Sequence, residues 1–307
     1  MFDHFVWSVL VAPVLVVGGA ALVAGRLSPG AGARVLAWSA ATAAFAAVAN
    51  LALFCAKALA ELPFVAARFG WSPDAVLADT ASVPWVSRVS ALILAWSAVA
   101  GTRTWLRHRR GRAVARELAP LPADQRVVLL PRASPDAFAV PGRPGRIVVT
   151  SGMRDSLTEA EYAALLAHEE AHLEAEHHSL VFWADLAGAL HPALWWVSRR
   201  VAYLVERDAD ERAAAAIGSR RVVAKAIAAA SLAAGATTGS PGLSMARPGA
   251  VPRRVMSLLS PDRRRLVPLA ALLPLALAAS SVMWTGEAAV DFGQLLMSAS
   301  HATAPHH

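Results

Sequence analysis

Four stretches of the chain, residues 5–25, 35–56, 83–102 and 266–286, are apolar over lengths near the ~20 residues that a helix needs to cross a hydrocarbon core. Three of them carry no charge; the third holds Arg88 near one end and is followed by Arg103, where long side chains can reach headgroups. The pattern predicts four transmembrane helices. The first is read as a retained span, because Met1-Phe2-Asp3-His4 puts no basic segment ahead of its apolar run.

Beyond the third span the periodicity changes. Val127–Leu130, Ala137–Val140 and 147–150 are short β-type runs, and Pro141, Gly142, Pro144 and Gly145 punctuate the last two. A hairpin over 137–150 and a small antiparallel sheet follow from this, with the strand at 147–150 expected to offer its edge to an extended peptide. Thr158 with Glu161 has the spacing of a capping box and predicts a helix running through His172 to about His178. The apolar stretch 179–205 contains His191-Pro192, so it is read as two helical pieces meeting at the proline, the second continuing to about Ile217. Asp185, His191, Arg199 and Arg200 argue against that stretch as a fifth span. Residues 232–251, rich in Ala, Gly, Ser, Thr and Pro, read as a flexible connection.

The expected fold is thus mainly α, a multi-pass membrane protein with a small α+β domain. Its organisation reads as 1–106 (three spans), 107–231 (the domain between spans), 232–265 (linker) and 266–307 (last span and short tail). Hydrophobic residues are 56% of the chain and charged ones 17%, which suits a bilayer. A net charge of +7 would suit nucleic acid in a soluble protein, but Arg107, Arg109, Arg110, Arg112 and Arg263, Arg264, Arg265 collect beside the spans. They read as orientation signals, placing both termini outside and residues 107–265 in the cytoplasm of a cell-membrane protein, with no nucleic acid expected as partner. The single cysteine, Cys55, falls in a predicted span, so a metal would have to rely on His and carboxylate.

The chemistry centres on His168-Glu169-Glu170-Ala171-His172. Helical i, i+4 spacing puts His168 and His172 on one face, ready for one zinc, with Glu169 placed as general base toward a water. A third ligand cannot follow on the same helix, since eight residues cover about 12 Å. His178 stands where a metzincin has its third histidine, but Ala175 replaces the glycine of that turn. Glu206 is the stronger candidate, with Asp210 four residues on to buttress a ligand; the competing reading is a solvated acidic face with Asp208 and Glu211, paired to Arg207 and Arg212. His177, His178, Tyr203 and Arg207 are all open as oxyanion donors.

The hairpin, the HEEAH helix, the segment His191-Pro192-x-x-Trp195 and the pattern Glu206-x-x-x-Asp210 together resemble the BlaR/MecR-type membrane metallopeptidases, over about residues 125–215 and the flanking spans. The resemblance implies a zincin-like gluzincin peptidase with His168, His172 and Glu206 as Zn2+ ligands, Glu169 as general base and Asp210 behind a ligand. It also implies regulated cleavage of a protein substrate such as a cytoplasmic transcriptional repressor, or of the chain itself. Two departures stand out: only a short tail follows 286, so the extracellular penicillin-binding sensor domain is lacking, and His191 replaces an asparagine. An HtpX-like membrane-protein quality-control protease is the alternative, and a non-catalytic transducer a third reading that an intact Glu169 disfavours.

Overall fold

The computed structural model describes residues 2–117, 122, 124–235, 250–260 and 269–301. Helix α1 (Phe2–Val23) contains a π-helical stretch at Val6–Val11; α2 (Pro29–Ala60), α3 (Pro63–Phe69), α4 (Pro73–Ala78) and α5 (Trp85–Glu117) follow. The strands are β1 (Val127–Leu130), β2 (Ala137–Val140) and β3 (Arg146–Thr150). Next come α6 (Ser151–Asp155), α7 (Glu159–Glu174), α8 (His177–Leu190), a 3-10 turn (Pro192–Leu194), α9 (Trp195–Ile217), α10 (Arg220–Gly235), α11 (Ala250–Leu259) and α12 (Leu269–His301).

Among the described residues four helices are long and apolar enough to cross a membrane: α1, α2, the Trp85–Gly111 part of α5 and the Leu272–His301 part of α12. They match the four expected spans, although the last runs well past Gly286. Its far end is held by Ser72, whose N–H donates to Ala299 O (3.0 Å), and by Asp291, 2.9 Å from His4 Nε2.

α2 lies at the centre, packed by α5, α8, α9 and α12. Its buried face is largely alanine, with Ala33, Ala37, Ala40, Ala43, Ala44 and Ala47 all nearly inaccessible, and such small side chains let helices approach closely. The stretch 179–205 joins this core through Leu180, Ala184, Ala187, Leu194, Val197, Val201 and Leu204. It breaks at His191-Pro192 as expected, and His191 Nε2 lies 2.8 Å from Val9 O, in the π-helical stretch of α1. That contact accounts for His191 as a structural residue.

The sheet departs from the antiparallel expectation. Its order is β1-β3-β2: β2 and β3 form the expected hairpin, but β1 pairs with β3 in parallel, Val128 opposite Val148. β3, buried at all five positions, is therefore central and cannot offer an edge. The sheet packs on α7 and α10 through Ile147, Val149, Leu165 and Ala230. The capping box forms: Glu161 N–H meets Thr158 Oγ1 at 3.4 Å, and Thr158 N–H donates to Glu161 Oε2 at 3.0 Å. The helix ends at Glu174, four residues earlier than expected, because Glu176 turns into the left-handed region (φ 50) and starts α8 at His177.

The expected linker 232–265 lies in part outside the described residues; within it, residues up to Gly235 continue α10 and Ala250–Leu259 is helical. Leu258 buries against α7, α9 and α10, which is why this segment is ordered into a helix rather than a tether.

Candidate metal centre

α7 and α9 lie side by side, and each contributes one face to a common point. On α7, residues 168 and 172 project together, so His168 Nε2 and His172 Nε2 are 3.2 Å apart. From α9 the Glu206 carboxylate straddles both rings, Oε2 at 3.6 Å from His168 Nε2 and Oε1 at 3.6 Å from His172 Nε2. A tetrahedral ion with bonds of about 2.0–2.1 Å needs donor atoms separated by about 3.3–3.4 Å. The two Nε2 atoms suit that separation, and the Glu206 carboxylate lies slightly beyond it with one oxygen toward each ring, the three side chains forming one converging group. His178, the rival, is not in the group that converges here.

The surroundings complete the picture. Asp210, one turn beyond Glu206 and 2% exposed, sits 3.1 Å from His168 Nδ1, the nitrogen that faces away from the triangle. Glu169 is buried, with strand β2 packed alongside its helix and the Ala139 backbone facing its carboxylate. Glu170 points the other way and pairs with Arg126, whose Nε donates to Glu170 Oε2 at 2.9 Å, tying the sheet to the helix.

Arg254 is the residue that sequence reasoning missed. It comes from α11, is 6% exposed, and grips two carboxylates at once: Nε to Asp210 Oδ2 at 2.8 Å, Nη2 to Asp210 Oδ1 at 2.6 Å, Nη1 to Glu206 Oε2 at 2.8 Å. No local signal marks it. It lies in the stretch read as a tether, beside an exposed Arg253, and only the apolar spacing of Val251, Val255 and Leu258 hints at a helix with a buried face.

Charge follows from these contacts. Burial works against a charged His168, but the carboxylates of Asp210 and Glu206 outweigh it and hold its pKa up, to about 10. His172, buried and next to His168 and His177, is pushed down to about 3, which leaves its lone pair available. Burial would raise both Glu206 and Asp210, yet Arg254 and His168 pull them below the ordinary carboxylate range. Burial raises Glu169 above the ordinary carboxylate range.

Of the oxyanion candidates, His177 is excluded, because one ring nitrogen lies 3.0 Å from His172 Nδ1 and the other 3.2 Å from Asp208 Oδ2. Tyr203 stacks under Arg200 and Arg253, and Arg207 leans toward Glu211 at 3.4 Å. Asp208 and Glu211 thus pair with His177, Arg212 and Arg207, while Glu206 and Asp210 turn to the HEEAH histidines and Arg254.

Compared with known proteins, residues 102–298 match the sequence model of peptidase family M48, a span that takes in α7, α9, α11 and most of α12. No solved structure matches the chain.

Proposed function

The chain belongs to peptidase family M48, whose members are zinc-dependent, and from that premise we propose that it is an integral membrane endopeptidase cutting a protein substrate at this centre. The observation that carries the reading is the convergence of His168 Nε2, His172 Nε2 and the Glu206 carboxylate on one point, beside a buried Glu169. His168, His172 and Glu206 would hold the zinc, which when bound polarises the scissile carbonyl and acidifies a water.

Glu169 takes a proton from that water as its oxygen attacks the carbonyl carbon. The carboxyl, now protonated, passes the hydrogen to the leaving nitrogen as the C–N bond breaks. Burial suits Glu169 to both roles, and β2 lies beside its carboxylate at Ala139.

The same contact indicates the substrate track. Asp136 O accepts from Thr150 N–H at 3.0 Å, so residues 136, 138 and 140 pair inward with β3, and Ala137 and Ala139 turn their backbone groups to the outer edge of β2. An extended peptide would add to β2, in place of the strand at 147–150, gaining main-chain hydrogen bonds with little side-chain selection.

The physiological reading we favour is regulated cleavage of a cytoplasmic protein such as a transcriptional repressor, or of the chain itself, in the manner of the BlaR/MecR-type peptidases. The catalytic segment would face the cytoplasm, as the Arg107–Arg112 cluster suggests under the positive-inside rule. Quality control of membrane proteins, as in HtpX-like proteases, is the alternative, and the packing of α9 against the apolar helix α2 supports it.

Zinc content of purified His168→Ala, Glu206→Gln and His178→Ala proteins tests the ligand set. The first two should lose the metal and the third keep it; loss only in the third would overturn the assignment.

A further inference from the structure

His177 is set in place by a backbone conformation that has a cost. α7 ends at Glu174, and Glu176 adopts φ 50, ψ 39, a left-handed region that is unfavourable for a residue with a Cβ. The turn folds α8 back so that its first residue, only 2% exposed, faces the metal centre. His177 Nδ1 lies 3.0 Å from His172 Nδ1, with ring centroids 4.9 Å apart and planes nearly perpendicular. Its Nε2 lies 3.2 Å from Asp208 Oδ2, which also accepts from Arg212 Nε at 2.7 Å. The Asp208 carboxylate in turn presses on the start of membrane helix α2: a Cβ built on Gly30 would fall 2.5 Å from Asp208 Oδ1.

We propose that His177 is a positioning residue for His172, fixing its tautomer through a one-way hydrogen-bonded chain that ends on Asp208 and is braced by Gly30 of α2. The inference rests on the reading of His172 as a metal ligand. A neutral imidazole that presents its Nε2 lone pair to a metal carries its hydrogen on Nδ1. Two Nδ1 atoms at hydrogen-bond distance hold one hydrogen between them, so His177 Nδ1 accepts and its own hydrogen sits on Nε2. An ionised carboxylate only accepts, so Asp208 receives that hydrogen and the order cannot reverse. The opposite order would point an N–H of His172 at the metal and set a lone pair of His177 against Asp208. Both ligand histidines are thereby backed by a carboxylate, His168 by Asp210 directly and His172 by Asp208 one imidazole further out.

The chain also links membrane helix to metal. A methyl at Gly30 must displace a carboxylate that His177 and Arg212 already hold. The displacement would be felt at a ligand that Gly30 never touches.

The test uses full-length protein in detergent, stripped of metal, with zinc affinity measured by competition against a chromophoric chelator and Co2+ absorption as a readout of ligand geometry. His177→Leu should weaken zinc binding by about 10–100-fold and alter the Co2+ spectrum. His177→Gln, whose amide accepts at one end and donates at the other, should recover most of the affinity, and Gly30→Ala should shift affinity in the same direction as His177→Leu. Wild-type affinity and spectrum in His177→Leu would overturn the proposal, as would a His177→Gln protein no better than the leucine variant, which would mean that only packing matters. Glu206→Gln runs in parallel: if it too keeps wild-type affinity, the reading of the metal centre has failed, whereas loss there with no effect at His177 sinks the positioning role alone.

Discussion

Arg254 Nη2 lies 2.6 Å from Asp210 Oδ1, and both side chains are almost wholly buried. Since Asp210 also touches His168, a residue 44 positions further along the chain sets the charge around a proposed ligand. Removing the arginine would strand the buried Asp210 carboxylate, a change that costs about 3–5 kcal/mol for a broken buried pair, and would leave Glu206 without its cation. Arg254→Met should therefore lower the unfolding temperature and release zinc. Arg254→Lys, a point charge that cannot span both carboxylates, should recover only part of either. Thermal unfolding with metal analysis on the same samples checks this.

Asp210 should matter for metal affinity more than for the fold. Asp210→Asn keeps the shape but weakens the hold on the His168 ring, so zinc affinity should fall by about 10–100-fold. A zinc competition titration reads this directly, and an unchanged affinity would remove Asp210 from the site.

Asp185, remote from the metal centre, supplies a pH dependence. Burial would raise its pKa, but hydrogen bonds with His108 and Ser198, and the charges of His108 and Arg107, hold it below the ordinary aspartate range. A carboxyl with a depressed folded pKa adds stability that is present above its unfolded value of about 3.9 and is lost as pH falls through the folded value. Asp185→Asn should thus be less stable than wild type at neutral pH, and the gap should close as the medium is acidified below about pH 4. Denaturation midpoints across that range provide the measurement.

Orientation is checked by labelling. With Cys55→Ser as background, single cysteines at Arg109 and Ser300 should differ in access to an impermeant thiol reagent applied outside intact cells, position 300 reacting and position 109 not. Equal labelling would contradict the cytoplasmic placement of the catalytic segment.

Much of this site could be read along the chain because its signals are local. His168, Glu169 and His172 lie within one and a half turns, the Thr158–Glu161 box announces their helix, and Pro192 marks the break before α9. Glu206 and Asp210 stood out as an i, i+4 pair, though spacing could not separate them from Asp208 and Glu211; only the approach of α7 to α9 does so. Three features had no local signature. The parallel pairing of β1 with β3 depends on how the chain crosses over, the left-handed Glu176 has no glycine to mark it, and Arg254 follows a Pro/Gly/Ser-rich stretch that hides its helix.

Glu169→Gln gives the most direct test of the central claim, because it changes a proton acceptor and leaves the three donors in place. Zinc content and cleavage of an unfolded protein substrate should be measured on wild type and variant together. The account predicts equal zinc in both and cleavage reduced by about 10²–10⁴-fold in the variant. Equal cleavage by the two proteins would contradict it.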